Sequence, residues 1–451
     1  MITIYIKNVF SKIINIDDNI QIQILKSTTV NSKTLTSKNA IYLFNPINNL
    51  FYTGLLNYIL KILKNNNKEY KIIDLRIKPK SIKKYNIDKK MKMRPYQKNI
   101  IDNSHNRMVV SLPTGAGKTF IMANLISKYS VFPTIVIVPT IQLANQTQEE
   151  FETFFNHKVG ICIGEKKQIN DITVCTPMSA PNELLKKCKM ILCDECHHIP
   201  SNTIFNIFKK CGYAYYRFGV SATPWRDAGD DLMIDAAINK KNNKLSLSIS
   251  DITNLGYLTP CNINFIKINK IYESNDYQDL YKKAIVKNDY RNNIIKNIAI
   301  KSLNNDKTIL ILIKNIEHGQ LLYDLIKNEL KDKSLINFIY GETDNTIREN
   351  VLKDVRNKKT RILIGSTIAD EGMDCKSLDT LILAGGGKSS TRAFQRIGRV
   401  LRLYKNKKVA NVYDFEDKSP ILYNHFLFRK SLYETETIKY RKKPAWTIKY
   451  I

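Results

Sequence analysis

The residues best placed to do chemistry lie in three short runs. The first, Ser111-Leu112-Pro113-Thr114-Gly115-Ala116-Gly117-Lys118-Thr119, follows the apolar Met108-Val109-Val110 and precedes Phe120 to Ile126, which has helical spacing. Strand, glycine-bearing loop and helix is the setting a phosphate-binding loop requires. Glycine lets the backbone turn tightly, so that successive N–H groups converge on an anion, and the new helix adds its positive end. Lys118 can then reach the outer phosphates, and the Thr119 hydroxyl can hold Mg²⁺. The strict pattern asks for glycine at 112, where this chain has Leu112. The second run, Asp194-Glu195-Cys196-His197, closes the apolar stretch Met190 to Cys193. An aspartate there can orient a metal ion through water, and the adjacent glutamate can polarise an attacking water. In the third, Gln395 to Arg402, the arginines Arg396, Arg399 and Arg402 are spaced by three and fall near one face of a helix. Outward guanidiniums suit the charge that develops on a phosphoryl group in transfer.

Weaker signals flank these runs. In Arg94-Pro95-Tyr96-Gln97 the Gln97 amide carries both a donor and an acceptor, enough to face an adenine edge. Ser221-Ala222-Thr223-Pro224 sets two hydroxyls at a strand-to-loop transition, where they can bridge a phosphate site to whatever is moved. Cys193 and Cys196, followed by His197 and His198, have metal-site or redox spacing. No second pair follows, and Asp194 and Glu195 between them have a better use.

The elements that must position these groups come in two α/β series. Thr134 to Val138, Ile172 to Cys175, Met190 to Cys193 and Arg217 to Val220 read as strands buried on both faces, as in a parallel sheet. Ligands of such sheets gather at the C-terminal strand ends. Thr308 to Ile313, Ile336 to Tyr340, Arg361 to Gly365 and Asp379 to Ala384 form the second series, with helices at Ile316 to Leu330 and Thr346 to Arg356 and no phosphate loop. Residues 1–88 carry no chemical motif. Met1 to Val9 and Ala40 to Phe44 read as strands and Leu55 to Leu63 as a helix. Residues 1–90 hold 16 Lys/Arg against 5 Asp/Glu, which suits contact with a nucleic-acid backbone or a solvated face in a Lys- and Asn-rich chain. The expected division is 1–88 as an accessory, DNA-binding domain, 89–243 as an ATP-binding domain, 244–290 as a connecting segment, and 291–451 as a second sheet domain with a basic aromatic tail. That tail (Tyr423, Phe426, Phe428, Tyr433, Tyr440, Trp446) either stacks on nucleic acid or packs back on its own domain.

A chain of 451 residues is too long for one compact domain. Its formal net charge of +30 repels itself, which points to a polyanionic partner, nucleic acid first. No run of 18 or more apolar residues suits a membrane span, and no secretory signal is apparent. The eight scattered cysteines read as reduced thiols in a cytosol-like compartment.

Taken in order, these motifs resemble those of superfamily 2 helicases over about residues 90 to 415. The resemblance implies an α/β fold with two RecA-like parallel-sheet domains in tandem, plus the small N-terminal α+β domain. It also implies ATP and Mg²⁺ as cofactors. Such helicases accept a residue other than glycine at the position of Leu112. By the same resemblance Gln97, with Arg94, reads adenine. Pro113, Thr114, Gly115, Ala116, Gly117, Lys118 and Thr119 cradle the phosphates. Asp194 with Thr119 holds the metal, and Glu195 activates water. His197, Ser221 and Thr223 couple the nucleotide to the track. Gly372 and Asp374 face the nucleotide from the second lobe, where Gln395, Arg399 and Arg402 complete the site. Arg399 and Arg402 are the candidate arginine fingers. The Asp-Glu-Cys-His run with Ser-Ala-Thr-Pro-Trp-Arg looks most like the DNA-directed branch, which holds XPB-like proteins, restriction motor subunits and phage UvsW-type branch-migration helicases. A phage-type protein would work in the host cytoplasm. The implied partner is duplex or branched DNA, with RNA as the alternative track and no membrane. The oligomeric state is left open, a monomer being compatible. The rival functions are an RNA-directed helicase or transcription-release factor, the motor subunit of a nuclease or restriction system, and a nucleic-acid-binding protein with a degenerate ATP fold.

Overall fold

The computed structural model describes residues 1–30, 40–81, 83–222, 229–239, 245–366, 375–387, 397–398, 400–438 and 446–451. They form two compact units, residues 1–112 with 117–247, and residues 248–451 with 113–116.

The first unit is built on a seven-stranded sheet in the order Lys166–Gln168, Gly160–Ile163, Ile172–Cys175, Thr134–Ile137, Met190–Asp194, Tyr216–Ser221, Arg107–Ser111. All its pairings are parallel except that of the first, exposed edge strand. The inner strands are β-branched or apolar throughout and buried on both faces, as helices on each side demand. Tyr216–Ser221 lies between the strand feeding the glycine loop and the strand ending in Asp194. Register sets Ser221 opposite Ser111 and Val220 opposite Asp194, so three strand ends meet at one edge.

A second, five-stranded sheet belongs to the same unit, in the order Phe44–Asn45, Leu50–Tyr52, Phe10–Ile14, Ile2–Ile6, Tyr70–Asp74. Helices Asp18–Ser27 and Leu56–Asn65 accompany it, the first capped by the Asp17 carboxylate on the Ile20 N–H. Ile4, Ile13, Ile20, Ile24, Phe51 and Ile59 make its core. That core is continuous with Val109, Ile135 and Ile191 of the seven-stranded sheet and with Phe205 of helix Asn202–Lys210. The segment that joins the two sheets is pinned as well. Tyr85 sits among Phe132, Phe155 and His157, and its hydroxyl donates to Asp171 at 2.8 Å.

The second unit holds another seven-stranded sheet, parallel throughout, in the order Ile336–Ile339, Ile362–Gly365, Ile309–Leu312, Thr380–Ile382, Ala410–Asp417, Cys261–Ile268, Trp446–Tyr450. The helix–sheet alternation is that of two RecA-like domains in tandem, preceded by an α+β region. Cys261–Ile268 corrects the reading of 244–290 as a plain connection, because it is an integral strand of this sheet. Asn262, Asn264 and Lys267 break its apolar run, and its polar side chains are served by a neighbouring strand, Asn264 donating to Val412 O at 3.3 Å. The aromatic tail packs back on its own domain. Helix Pro420–Ile438 buries Phe426 and Tyr433 against Phe265, and strand Trp446–Tyr450 adds the buried Trp446. Tyr440 lies outside the described residues.

Candidate nucleotide site

The glycine loop leaves strand Arg107–Ser111 and ends where helix Lys118–Tyr129 begins. Leu112 is fully buried, and its N–H donates to Ser221 O at 2.9 Å. Its backbone is outside the left-handed region, so glycine is not needed there and a core side chain serves instead. Gly115 and Gly117 do require glycine, with φ of +85° and +77°. A Cβ on Gly117 would also stand 2.6 Å from Gln97 Nε2. Gln97 is placed by its own helix. Its Oε1 accepts from the Arg94 N–H at 2.9 Å, closing a capping box on Pro95–Asp102, while the Arg94 guanidinium reaches the Tyr96 hydroxyl. Gly117 caps helix Lys118–Tyr129 without a side-chain acceptor, so the first N–H groups of that helix stay available to a ligand.

Lys118 Nζ lies 3.2 Å from Glu195 Oε1. On its other oxygen Glu195 accepts from Ser221 Oγ at 3.1 Å, and Ser221 Oγ is 2.9 Å from His197 Nδ1. Four residues predicted from three separate motifs therefore form one hydrogen-bonded cluster. Asp194 ends its strand beside them, with Oδ1 accepting from the Glu195 N–H at 2.9 Å. Glu195 is held at φ +46°, a left-handed conformation costly for a residue with a Cβ. It is how the chain turns off the strand and aims this carboxylate at Lys118. The two acids are driven apart electrostatically. Burial first, then the Glu195 charge, raises the Asp194 pKa. Burial also works to raise Glu195, but the Lys118 ammonium and His197 outweigh it and hold Glu195 well below the usual carboxylate range.

These groups suit a nucleoside triphosphate and a hard divalent cation. The positive-φ glycines, the helix N-terminus without a side-chain cap and a lysine paired with a carboxylate are what outer phosphates can engage. Asp194 with the half-buried Thr119 supplies oxygen ligands of the kind Mg²⁺ takes. Cys193 and Cys196 are buried, and burial pushes both thiols up. Arg402 belongs to the second unit, where its carbonyl accepts from Lys407 Nζ at 3.1 Å. Thr223, Gly372, Asp374, Gln395 and Arg399 lie outside the described residues.

Two further contacts support the site, one inside the motifs and one outside them. Ser111 Oγ donates to Ala222 O at 3.2 Å, tying the glycine-loop strand to the segment after Ser221. Gly219 lies against Cys196, and a Cβ there would stand 3.0 Å from Sγ. The signal for it was a lone glycine inside a strand pattern.

A parallel sheet presenting a glycine loop with its lysine, and an acid pair one strand removed, is the arrangement of a nucleoside-triphosphate-hydrolysing lobe. The family model described as type III restriction enzyme, res subunit, matches residues 90–226, and the helicase conserved C-terminal domain matches 290–404. DNA 3'-5' translocase XPB2 of Sulfurisphaera tokodaii is 26% identical over 70% of this chain and 80% of its own length. ATP-dependent DNA helicase uvsW of Enterobacteria phage T4 is 29% identical over 75% of this chain and 71% of its own. The fold is also that of Saccharomyces cerevisiae Dbp5 bound to RNA and ADP BeF3, with a TM-score of 0.54 at 17% identity, over 80% of this chain and 90% of the other. The chain belongs to the superfamily 2 helicases, related to the XPB and UvsW proteins, and is an ATP-driven enzyme that binds nucleic acid. Among the described residues no helix is long and apolar enough to cross a membrane.

Proposed function

We propose that this chain is an ATP-dependent DNA helicase or translocase acting on duplex or branched DNA in recombination, repair or replication, with branch migration as its characteristic reaction. The observation that carries the reading is the single cluster joining Lys118, Glu195, Ser221 and His197. In the resting cluster Lys118 neutralises Glu195. Outer phosphates compete for Lys118, and its departure frees the Glu195 carboxylate to polarise the attacking water. Thr119 and Asp194 would hold Mg²⁺, which when bound offsets charge on the phosphates. Gln97 with Arg94 reads the adenine. The loop from Pro113 to Gly117 wraps the phosphates, with Gly372 and Asp374 facing the nucleotide from the second lobe. Arg399 and Arg402, with Gln395, answer the charge developing on the transferred phosphoryl group. Ser221, His197 and Thr223 pass the change at Glu195 toward the track, so that hydrolysis alternates the grip of two lobes. The sheet domain within residues 1–88 adds a basic contact to the DNA backbone.

DNA is preferred to RNA because XPB2 and uvsW, among the relatives, are by name DNA enzymes, whereas the likeness to Dbp5 is one of fold. A host cytoplasm would be the setting if the chain is phage-encoded, as the relationship to uvsW suits. The test is ATP turnover against linear duplex, forked DNA, four-way junction and RNA. The expected order puts junction and fork above linear duplex, with RNA lowest. Turnover stimulated best by RNA, or by no nucleic acid at all, would overturn the reading.

A further inference from the structure

The two strands that run to the glycine loop and to Ser221 also share their opposite ends. Arg107 opens one and stands in register with Arg217 on the other. Both guanidiniums are buried, and both spend donors on main-chain carbonyls. Arg217 reaches Cys211 O at 2.6 Å, Phe208 O at 3.0 Å, Ala214 O at 3.1 Å and Ala237 O at 3.4 Å. Arg107 reaches Ile238 O at 3.1 Å and also Asn8 O, in the turn between strands Ile2–Ile6 and Phe10–Ile14 of the N-terminal sheet. Ala237 and Ile238 close helix Leu232–Ala237, so two cations sit at its negative end.

The same helix is gripped from the N-terminal sheet domain. The Tyr58 hydroxyl, from helix Leu56–Asn65, donates to the Asp235 carboxylate. Burial first, then Asp235, pushes that hydroxyl's pKa up, so it remains a neutral donor. Gly54 lies so close that a Cβ would run into the carbonyl oxygens of Asp235 and Ala236. Met233, Ile234, Ala236 and Ala237 share one core with Leu55 and Ile59.

We propose that helix Leu232–Ala237 is the relay through which the nucleotide site and the N-terminal sheet domain sense each other, with Tyr58, Asp235 and Gly54 as positioning residues for nucleic-acid-stimulated ATP turnover. The proposal rests on the motor reading above. Strand Tyr216–Ser221 is a stiff rod of roughly 20 Å at the usual strand rise. Ser221 at one end touches Glu195, and Arg217 near the other holds the helix terminus. A displacement at Ser221 is therefore delivered to the helix, because close-packed interiors shift as units instead of yielding locally. By reciprocity, nucleic acid on the N-terminal sheet domain that favours one position of helix Leu232–Ala237 biases the nucleotide site.

The experiment measures ATP turnover of the full chain with and without a linear DNA duplex. Tyr58→Phe removes one hydroxyl and keeps the ring. It should leave duplex-free turnover within about twofold of the parent and lower the stimulation by about fivefold or more, the range of ordinary site-to-site coupling. Asp235→Ala should behave alike, while Asp235→Asn, which keeps an acceptor, should restore stimulation. Full stimulation in both Tyr58→Phe and Asp235→Ala overturns the relay. So does an equal fall in both turnovers with an unchanged melting temperature, since that would mark a general defect and not a coupling one. If the parent is stimulated neither by linear duplex nor by a four-way junction, which is then used in its place, it is the motor reading that fails.

Discussion

Two carboxylates of the parallel sheets, Asp414 within strand Ala410–Asp417 of the second unit and Glu195 just past strand Met190–Asp194 of the first, have opposite surroundings. Asp414 is fully buried and saturated. Its Oδ1 accepts from Arg429 and the Phe415 N–H, and its Oδ2 from Arg429 and the Tyr433 hydroxyl, all at 2.8–2.9 Å. Every partner belongs to its own strand or to helix Pro420–Ile438, so the group closes the structure over itself. Glu195 keeps 17% of its side chain open and leans on a lysine from a phosphate-loop helix. A buried ion pair of the first kind costs desolvation and returns specificity of packing. One of the second kind is a pair that a ligand can break. What separates chemistry from architecture in this pair is the origin and replaceability of the partner.

The contrast can be broken in order of expected effect. Lys118→Ala and Glu195→Gln should each cut ATP turnover on the order of 10³-fold, with the melting temperature close to the parent's. A collapse of folding in either would place Glu195 in the same class as Asp414. Asp414→Ala should do the reverse, costing about 3–5 kcal/mol of stability by orphaning the buried Arg429; chemical denaturation reads it, and a cost under about 1 kcal/mol would contradict the architectural assignment. The second unit also carries a pH liability. His318 is buried with Nε2 against Asn292, and burial, then the Arg291 charge, lowers its pKa to about 3. A depressed histidine favours the fold while neutral, so its contribution is intact above about pH 6.5 and is lost as pH falls toward 3. Between pH 7 and 5 the loss should be about 2 kcal/mol, and His318→Gln should flatten that slope in melts run across this range. The smallest effect is local: Asp17→Ala, which removes an N-cap of the N-terminal sheet domain, should lower the melting temperature slightly in the same melts and leave turnover unaltered.

The residues that meet in the Lys118 cluster were legible because they sit in short local patterns: Gly-Ala-Gly-Lys-Thr after a strand, Asp-Glu-Cys-His at the end of another. Their mutual arrangement follows from strand order, which places Ser221 between Lys118 and Asp194. Cys261–Ile268 was hidden because Asn262, Asn264 and Lys267 interrupt its apolar run and their partners lie about 150 residues away. Trp446–Tyr450 was read as tail because only Trp446 is buried, and its pairing with Cys261–Ile268 is long-range. The fused core of the two N-terminal sheets leaves no local trace either: Asn8 and Arg107 each look like ordinary surface residues until the chain closes on itself.

Gly219 carries one more implication. Its missing side chain is the space in which the Cys196 thiol lies, so strand and motif were fitted as a matched pair. Homologues with a bulkier residue at the first position should show a smaller one at the second, and the two should drift together through the lineage. A lineage in which they vary independently would mean that the thiol's berth is an accident of this chain.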